Sequence, residues 1–164
     1  MSEENIRLAY RNLKTNHGSK TPGVDGKTID DLKRWNDTDL IRNIQKSLEW
    51  YTPGKVKRVE IPKGNGKMRP LGIPTIKDRL IQQCVLQVLE PVCEAKFFER
   101  SNGFRPNRST EHAIAQAMTM IQQRQLYYVV DIDIKGFFDN VSHGKLLNKM
   151  CSMGIHEKKM LSVI

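Results

Sequence analysis

The stretch Val129–Asn140, VVDIDIKGFFDN, limits what this chain can fold into more than any other part of the sequence. Apolar residues at Val130 and Ile132 alternate with Asp131 and Asp133. Alternation with a period of two residues predicts a β-strand with one apolar and one acidic face. An acidic face needs a basic neighbour, water or a divalent cation, and Mg²⁺ prefers such oxygen ligands. A solvated edge strand is the alternative that the local sequence leaves open.

The charge balance points to a polyanionic partner. The net charge is +9 and the isoelectric point is about 9.6, which is typical of proteins that bind nucleic acid. No run of about 18 apolar residues is present, and the first residues are polar, so we expect neither a membrane span nor a secretory signal. We therefore expect a cytoplasmic protein. The 3 cysteines and 4 histidines do not follow zinc-ligand spacing.

The remaining pattern predicts an α+β fold. Apolar residues at helical spacing predict helices, with Ser109 as one N-cap, Thr38 or Asp37 as another, and a kink or an end at Pro91. A run with turn chemistry at 17–28 predicts a loop. The apolar residues near Ile164 lead us to expect a chain that has been cut short. The predicted helices cover residues 3–16, 38–50, 75–97, 110–123, 142–154 and 156–164, and the predicted strands lie within 56–74 and 126–134.

A basic β-hairpin is predicted between Val56 and Pro74. Its turn, KGNGK, is flanked by Lys63 and Arg69. If the two strands pair, both side chains can reach one anion, since lysine supplies a point charge and arginine a fork for phosphate. A solvated basic hairpin is the alternative.

The segment SNGFRPNRS holds Arg105 and Arg108 just before a predicted helix N-terminus, which favours an anion. Equally, Arg105 can tie down the loop through backbone carbonyls. The two interpretations remain open at this point.

Four ordered motifs, from about Pro22 to Leu147, resemble the N-terminal half of a bacterial group II intron-encoded reverse transcriptase. They are TPGVDGKTIDDL, IPKGNGKMRPLGIPTIKDRLIQQCVLQVLEP, NGFRPNRSTEHAI and DIDIKGFFDNVSH. Retron, diversity-generating and CRISPR-associated reverse transcriptases share the last of these, and the upstream motif favours the intron type. The resemblance implies a right-hand polymerase. Residues 1–125 would form an N-terminal extension and the fingers, and 126–164 the start of a truncated palm.

The resemblance also implies roles for particular residues. Asp133 resembles the first catalytic, metal-binding aspartate, and the carbonyl of Ile134 would be a second ligand of Mg²⁺. Phe138 resembles the steric gate that excludes a ribose 2′-hydroxyl. Lys63 and Arg69 resemble the residues that hold the incoming dNTP. The candidates for contact with template RNA are Gly23, Lys27, Arg79, Arg105 and Arg108.

The sequence departs from this family after Asp133, because no adjacent Asp-Asp pair follows it. We therefore expect an RNA-directed DNA polymerase only in the intact protein, with intron RNA as template and a DNA primer. This chain alone is expected to be inactive and to self-associate through an incomplete palm. A non-catalytic module that grips structured intron RNA is the alternative, and a plain structural domain with a basic surface is disfavoured by the ordered motifs.

Overall fold

The computed structural model describes residues 1–64 and 66–164. The α+β class is confirmed, because the described part of the chain contains α-helices and one antiparallel β-hairpin. Short 3₁₀ helices lie at His17–Lys20 and Phe138–Asn140. The α-helices are α1 Glu3–Thr15, α2 Ile29–Leu32, α3 Asp37–Glu49, α4 Ile76–Glu94, α5 Thr110–Gln122, α6 His143–Ser152 and α7 Lys158–Val163, and the strands are β1 Lys57–Pro62 and β2 Met68–Ile73.

Two compact units make up the chain: Met1–Glu90 with Glu157–Ile164, and Pro91–His156. The predicted boundary between fingers and palm, at residues 125 and 126, is a different kind of division from these compact units, and it stays a prediction. No helix in the described ranges is long and apolar enough to cross a membrane.

The core of the first unit is built mostly from the helix faces that the apolar spacing predicts, but α2, which adds Ile29 and Leu32, was not predicted. Burying these side chains removes apolar surface from water, which is the main favourable term in folding. Short-range caps support the helix starts, since Ser2 accepts a hydrogen bond from the backbone N–H of Asn5 at 3.3 Å. The buried members are Ile6, Ala9, Leu13, Ile29, Leu32, Leu40, Ile41, Ile44, Ile76, Leu80, Ile81 and Cys84.

The predicted start of α3 was wrong by one residue. Asn36 caps the helix, and its Oδ1 accepts from the N–H of Asp39 at 2.7 Å. Asparagine is as good an N-cap as aspartate, so Asn36, which directly precedes Asp37, can cap the helix equally well. Asp37 instead lies in the first turn and pairs with Arg7.

Helix α4 follows its predicted apolar face only in its first half. Ile81, Cys84 and Val85 are buried, whereas Val88 and Val92 are exposed. Pro91 lies inside the helix, which ends within one turn of it. The absent N–H of a proline removes one helical hydrogen bond, and a helix that is about to end loses little by this.

The strand predicted at 126–134 does not form. These residues have no regular secondary structure, and no backbone hydrogen bond between described residues joins them to another strand. A strand exists only when a neighbour satisfies its N–H and C=O groups, so alternation by itself is not sufficient. Val130 is 81% exposed and Ile132 is 82% exposed. The apolar face of α5 is likewise exposed at Ile114 and Met118.

Candidate functional site

The hairpin places two predicted phosphate-binding residues on one face. β1 and β2 pair antiparallel, with Ile61 opposite Arg69. The N–H of Lys63 donates to the carbonyl of Lys67 at 2.6 Å, which closes the turn, and Asn65 within that turn lies outside the described residues. Arg69 shares the face of its register partner Ile61. Lys63 follows the last residue of β1, and its bond to Lys67 continues the register and the alternation, which brings its side chain to that face. Both basic side chains are exposed, and neither has a side-chain partner among the described residues.

Asp133 and Phe138 line one shallow cavity in the second unit. Its volume is about 570 Å³, and its other walls come from the neighbouring residues of the same turn. Gly136 has a φ of 62°, and its carbonyl accepts from Asn140 Nδ2 at 2.7 Å. This left-handed glycine reverses the chain, so the phenylalanine after the turn comes back to the aspartate before it. The Phe138 side chain is 87% exposed, and its ring meets that of Phe137 edge to face at 5.7 Å.

The described residues do not form a complete metal centre. No group of three or more His, Cys, Asp or Glu side chains converges among them in a way that could hold an ion. Asp133 and Asp139 border the same cavity, but two magnesium ions need more oxygen donors than this. The carboxylate of Asp133 and the carbonyl of Ile134 can therefore supply only part of such a site.

Gly23 is buried where the loop at 17–28 meets the residues before α4. A Cβ placed on it would lie 2.9 Å from the Cα of Thr75 and 3.0 Å from the carbonyl oxygen of Pro74. Only glycine fits such a close backbone approach. Its contribution is thus to loop packing, whereas Lys27 is exposed beside a cleft of about 670 Å³.

Arg79 holds the same loop through backbone carbonyls. Its guanidinium donates to the carbonyl of Gly18 at 2.7 Å and to that of Thr21 at 2.5 Å. Partial burial lowers the pKa of Arg79, because desolvation disfavours the charged form. Arg79 therefore positions residues 18–21 with two of its five N–H donors, while its Nε is buried without a partner among the described residues.

Arg105 ties down its own loop, as one of the two open interpretations predicted. Its guanidinium binds the carboxylate of Glu94 at 2.6 and 3.0 Å, and donates to the carbonyls of Phe98 and Ser101 at 2.8 Å each. The side chain is 6% exposed. The hydrogen bond from Arg105 lowers the pKa of Glu94.

Arg108 differs from its neighbour, because it borders a groove of about 490 Å³ along α5. His112 Nδ1 accepts from the N–H of Ser109 at 3.1 Å at the predicted start of this helix. Sequence reasoning missed Arg100, Gln116 and Arg124, which border the same groove. The available signal was the one-turn spacing of His112 and Gln116 on a predicted helix with Arg108 just before it and Arg124 just after it.

A buried aspartate was also missed. Asp78 accepts from Thr75 Oγ1 at 2.6 Å, from Tyr51 Oη at 2.9 Å and from the N–H of Gly54 at 3.1 Å. Burial and the bond to Asp78 raise the pKa of Tyr51. This network joins residues 51–54, which lead into β1, to the first turn of α4, so it orients the hairpin. The capping pattern TIKD at Thr75 was the available signal.

Comparison with known proteins agrees with this arrangement of motifs. The profile of the family described as reverse transcriptase (RNA-dependent DNA polymerase) matches residues 61–164, which is more than half of the chain. Protein YkfC of Escherichia coli is 36% identical over 161 residues, covering 95% of this chain and 42% of the relative. Group II intron-encoded protein LtrA of Lactococcus lactis is 37% identical over 158 residues, covering 96% of this chain and 26% of the relative.

A more distant similarity extends to plants. Nuclear intron maturase 1 of Arabidopsis thaliana, a mitochondrial protein, is 25% identical over 138 residues, covering 80% of this chain and 18% of the relative. The chain thus spans less than half the length of these relatives. The resemblance predicted from the motifs is confirmed, and the chain belongs to the reverse transcriptase family.

Proposed function

We propose that this chain contributes the fingers and the start of the palm to an RNA-directed DNA polymerase of the group II intron type. The family match and the relatives named for intron-encoded proteins and maturases support this proposal. The single structural observation that carries it is the hairpin register, which gives Lys63 and Arg69 a common face. Template RNA, a DNA primer and a dNTP would be the ligands, and the intact protein would also assist intron splicing.

The hairpin would hold the incoming dNTP. Lys63 and Arg69 are exposed and unpaired among the described residues, so they can neutralise two phosphates at a small cost in broken contacts. Phe138 would form a wall beside the sugar, where an added 2′-hydroxyl would collide with the ring. Polymerisation is an attack of the primer 3′-hydroxyl on the α-phosphate, so positioning and charge neutralisation are the main requirements.

Asp133 and the Ile134 carbonyl would supply part of a divalent-metal site, with Mg²⁺ as the expected ion. Reverse transcriptases as a family use divalent ions, and the remaining donors would have to come from residues other than those described. The chain alone is therefore proposed to be inactive in DNA synthesis.

The proposed RNA contacts fall into two groups. Lys27 and Arg108 are available to RNA phosphates, because their side chains make no hydrogen bond or ion pair with another residue that the structure describes. Gly23, Arg79 and Arg105 would act indirectly, by holding the loops at 17–28 and 98–108 in shape for the template.

Steady-state primer extension by the intact protein tests the dNTP site. Lys63→Ala and Arg69→Ala should each raise the KM for dNTP about tenfold or more, since a charge-assisted hydrogen bond is lost. Arg58→Ala is the matched control, because Arg58 lies on the opposite face of the same strand and its loss changes the net charge equally. If all three variants raise the KM for dNTP equally, the hairpin acts only through its total positive charge and not through Lys63 and Arg69 in particular.

Asp133→Ala tests the catalytic assignment. We expect DNA synthesis by the intact protein to be abolished while RNA binding is kept. Magnesium-dependent synthesis by the 164-residue chain alone, lost on Asp133→Ala, would contradict its proposed inactivity.

The second candidate function, a non-catalytic RNA-binding module, is favoured by the net charge of +9. It predicts salt-dependent binding of structured RNA without any polymerase activity in the intact protein. Splicing assistance that survives Asp133→Ala, combined with no primer extension by the wild type, would favour this candidate.

A further inference from the structure

A basic groove runs along one side of α5 in the second unit. Its volume is about 490 Å³, and it is bordered by helix residues spaced about one turn apart together with Glu99 and Arg100 from the preceding segment. His112 and Gln116 lie one turn apart on α5, while Arg108 precedes the helix and Arg124 follows it, and all four border the groove. At a rise of 1.5 Å per residue, the 13 residues of α5 between the two arginines span about 20 Å.

Nothing in the described part of the protein binds the guanidinium groups of the three groove arginines. Arg100, Arg108 and Arg124 make no side-chain hydrogen bond or ion pair with another described residue. Other arginines are bound by carboxylates or carbonyls, namely Arg7, Arg34, Arg42, Arg79 and Arg105.

The charge of the groove is one-sided. Glu99 is the one carboxylate on its border, against three arginines. Concave surfaces with one sign of charge concentrate the field and attract counter-charged ligands. Gln116 adds a neutral donor, because its Oε1 already accepts from Asn102 Nδ2 at 3.1 Å and its amide nitrogen has no partner among the described residues.

We infer that the α5 groove, defined by Arg100, Arg108, His112, Gln116 and Arg124, binds successive backbone phosphates of a single RNA strand. Guanidinium forks match phosphate oxygens, and arginines at both ends of a helix about 20 Å long suit a polymer better than one compact anion. The inference rests on the proposed function for the kind of partner, and it adds Arg100, Gln116 and Arg124 to the RNA-binding surface.

Fluorescence anisotropy of a labelled, unstructured RNA 20-mer, titrated with the chain at several salt concentrations, tests the groove. Arg100→Ala and Arg124→Ala should each weaken binding at low salt and reduce the slope of log affinity against log salt by about 0.7, as expected for one lost phosphate contact on a single strand. Arg124→Lys should restore the slope. Arg42→Ala is the control, because it removes the same charge from an exposed side chain of α3 outside the groove.

Each outcome decides between the alternatives. If both groove variants keep the wild-type salt slope, or if Arg42→Ala loses as much slope and affinity as they do, the groove is not the RNA-binding site. RNA binding by the chain as such would still stand. No RNA binding by the wild type would instead count against the proposed function. If inorganic triphosphate at equal phosphate concentration displaces the RNA completely at the groove, the site takes a compact polyphosphate and the strand-binding inference is wrong.

Discussion

Arginine side chains with similar sequence surroundings have different roles in this protein. Arg105 and Arg108 lie three residues apart in one motif, yet Arg105 is bound by Glu94 and two carbonyls whereas Arg108 faces a groove. An arginine saturated by the protein is a positioning residue, and an unpaired one retains its donors for a ligand. This difference depends on which acceptors the fold brings within reach.

At the residue scale, Phe138→Ala tests the proposed steric gate. Removal of the exposed ring should let the intact protein accept ribonucleotides, because the 2′-hydroxyl no longer meets a wall. Relief of an overlap of this kind is worth about 1–3 kcal/mol, or roughly 10- to 100-fold in the dNTP-to-rNTP ratio of kcat/KM. Phe137→Ala is the control from the same turn, and an equal change in both variants would contradict a gate at Phe138.

Glu94→Gln tests the pair that holds the GFRPNRS loop. The Arg105 bond lowers the folded-state pKa of Glu94 below its ordinary value of 4.5. A lowered folded-state pKa stabilises the protein above the unfolded-state pKa, and this contribution is lost as pH falls through the folded-state value. Urea unfolding should show Glu94→Gln less stable than wild type at pH 7, with the gap narrowing below pH 4.5. A gap that is the same at every pH would contradict the charge-based explanation.

At the scale of elements, the loop at 17–28 depends on a close contact rather than on its own turn chemistry. Gly23 packs against the backbone of Pro74 and Thr75, and Arg79 from α4 binds two of the loop carbonyls. The loop was predicted from its glycines and proline, but its 3₁₀ turn at His17–Lys20 and its attachment to α4 were not.

Gly23→Ala should destabilise the first unit by about 1–3 kcal/mol, since the new methyl group overlaps backbone atoms that cannot move independently. Thermal or urea unfolding measures this loss. Gly64→Ala is a matched control, because a Cβ there meets no atom within 4 Å and it should change stability little. Equal effects of the two substitutions would show that Gly23 has no special packing role.

At the scale of the whole molecule, the segment at 126–134 is the largest mismatch between sequence pattern and structure. Its side chains have the alternation and β-branching of a strand, yet they are exposed, and no neighbouring strand among the described residues pairs with them. Exposed strand-like segments of this kind pair readily with another chain.

We therefore expect the 164-residue chain to self-associate as its concentration rises. Val130→Pro should shift the association to higher concentration, because proline removes a ladder donor. Sedimentation equilibrium or light scattering measures the effect, and Val24→Pro in the exposed loop serves as the control. A wild-type chain that stays monomeric at high concentration would contradict the expectation.

The sequence by itself determined the elements whose stabilising contacts are local or periodic. The hairpin, the core helices α1, α3 and α4 and the start of α5 at Ser109 follow from turn residues, apolar spacing and caps, whereas the short core helix α2 was missed. The family resemblance followed as well, because ordered motifs are a property of the linear sequence.

Only the tertiary structure decided which charged residues are free. Arg79, Arg105 and Asp78 are bound by groups from as far as 61 residues away in the sequence, while Arg100, Arg108 and Arg124 share a groove. It also decided that 126–134 is not a strand, since pairing requires a neighbour that local alternation cannot supply. Local patterns specify elements, whereas partners, burial and free charge arise from contacts between distant parts of the chain.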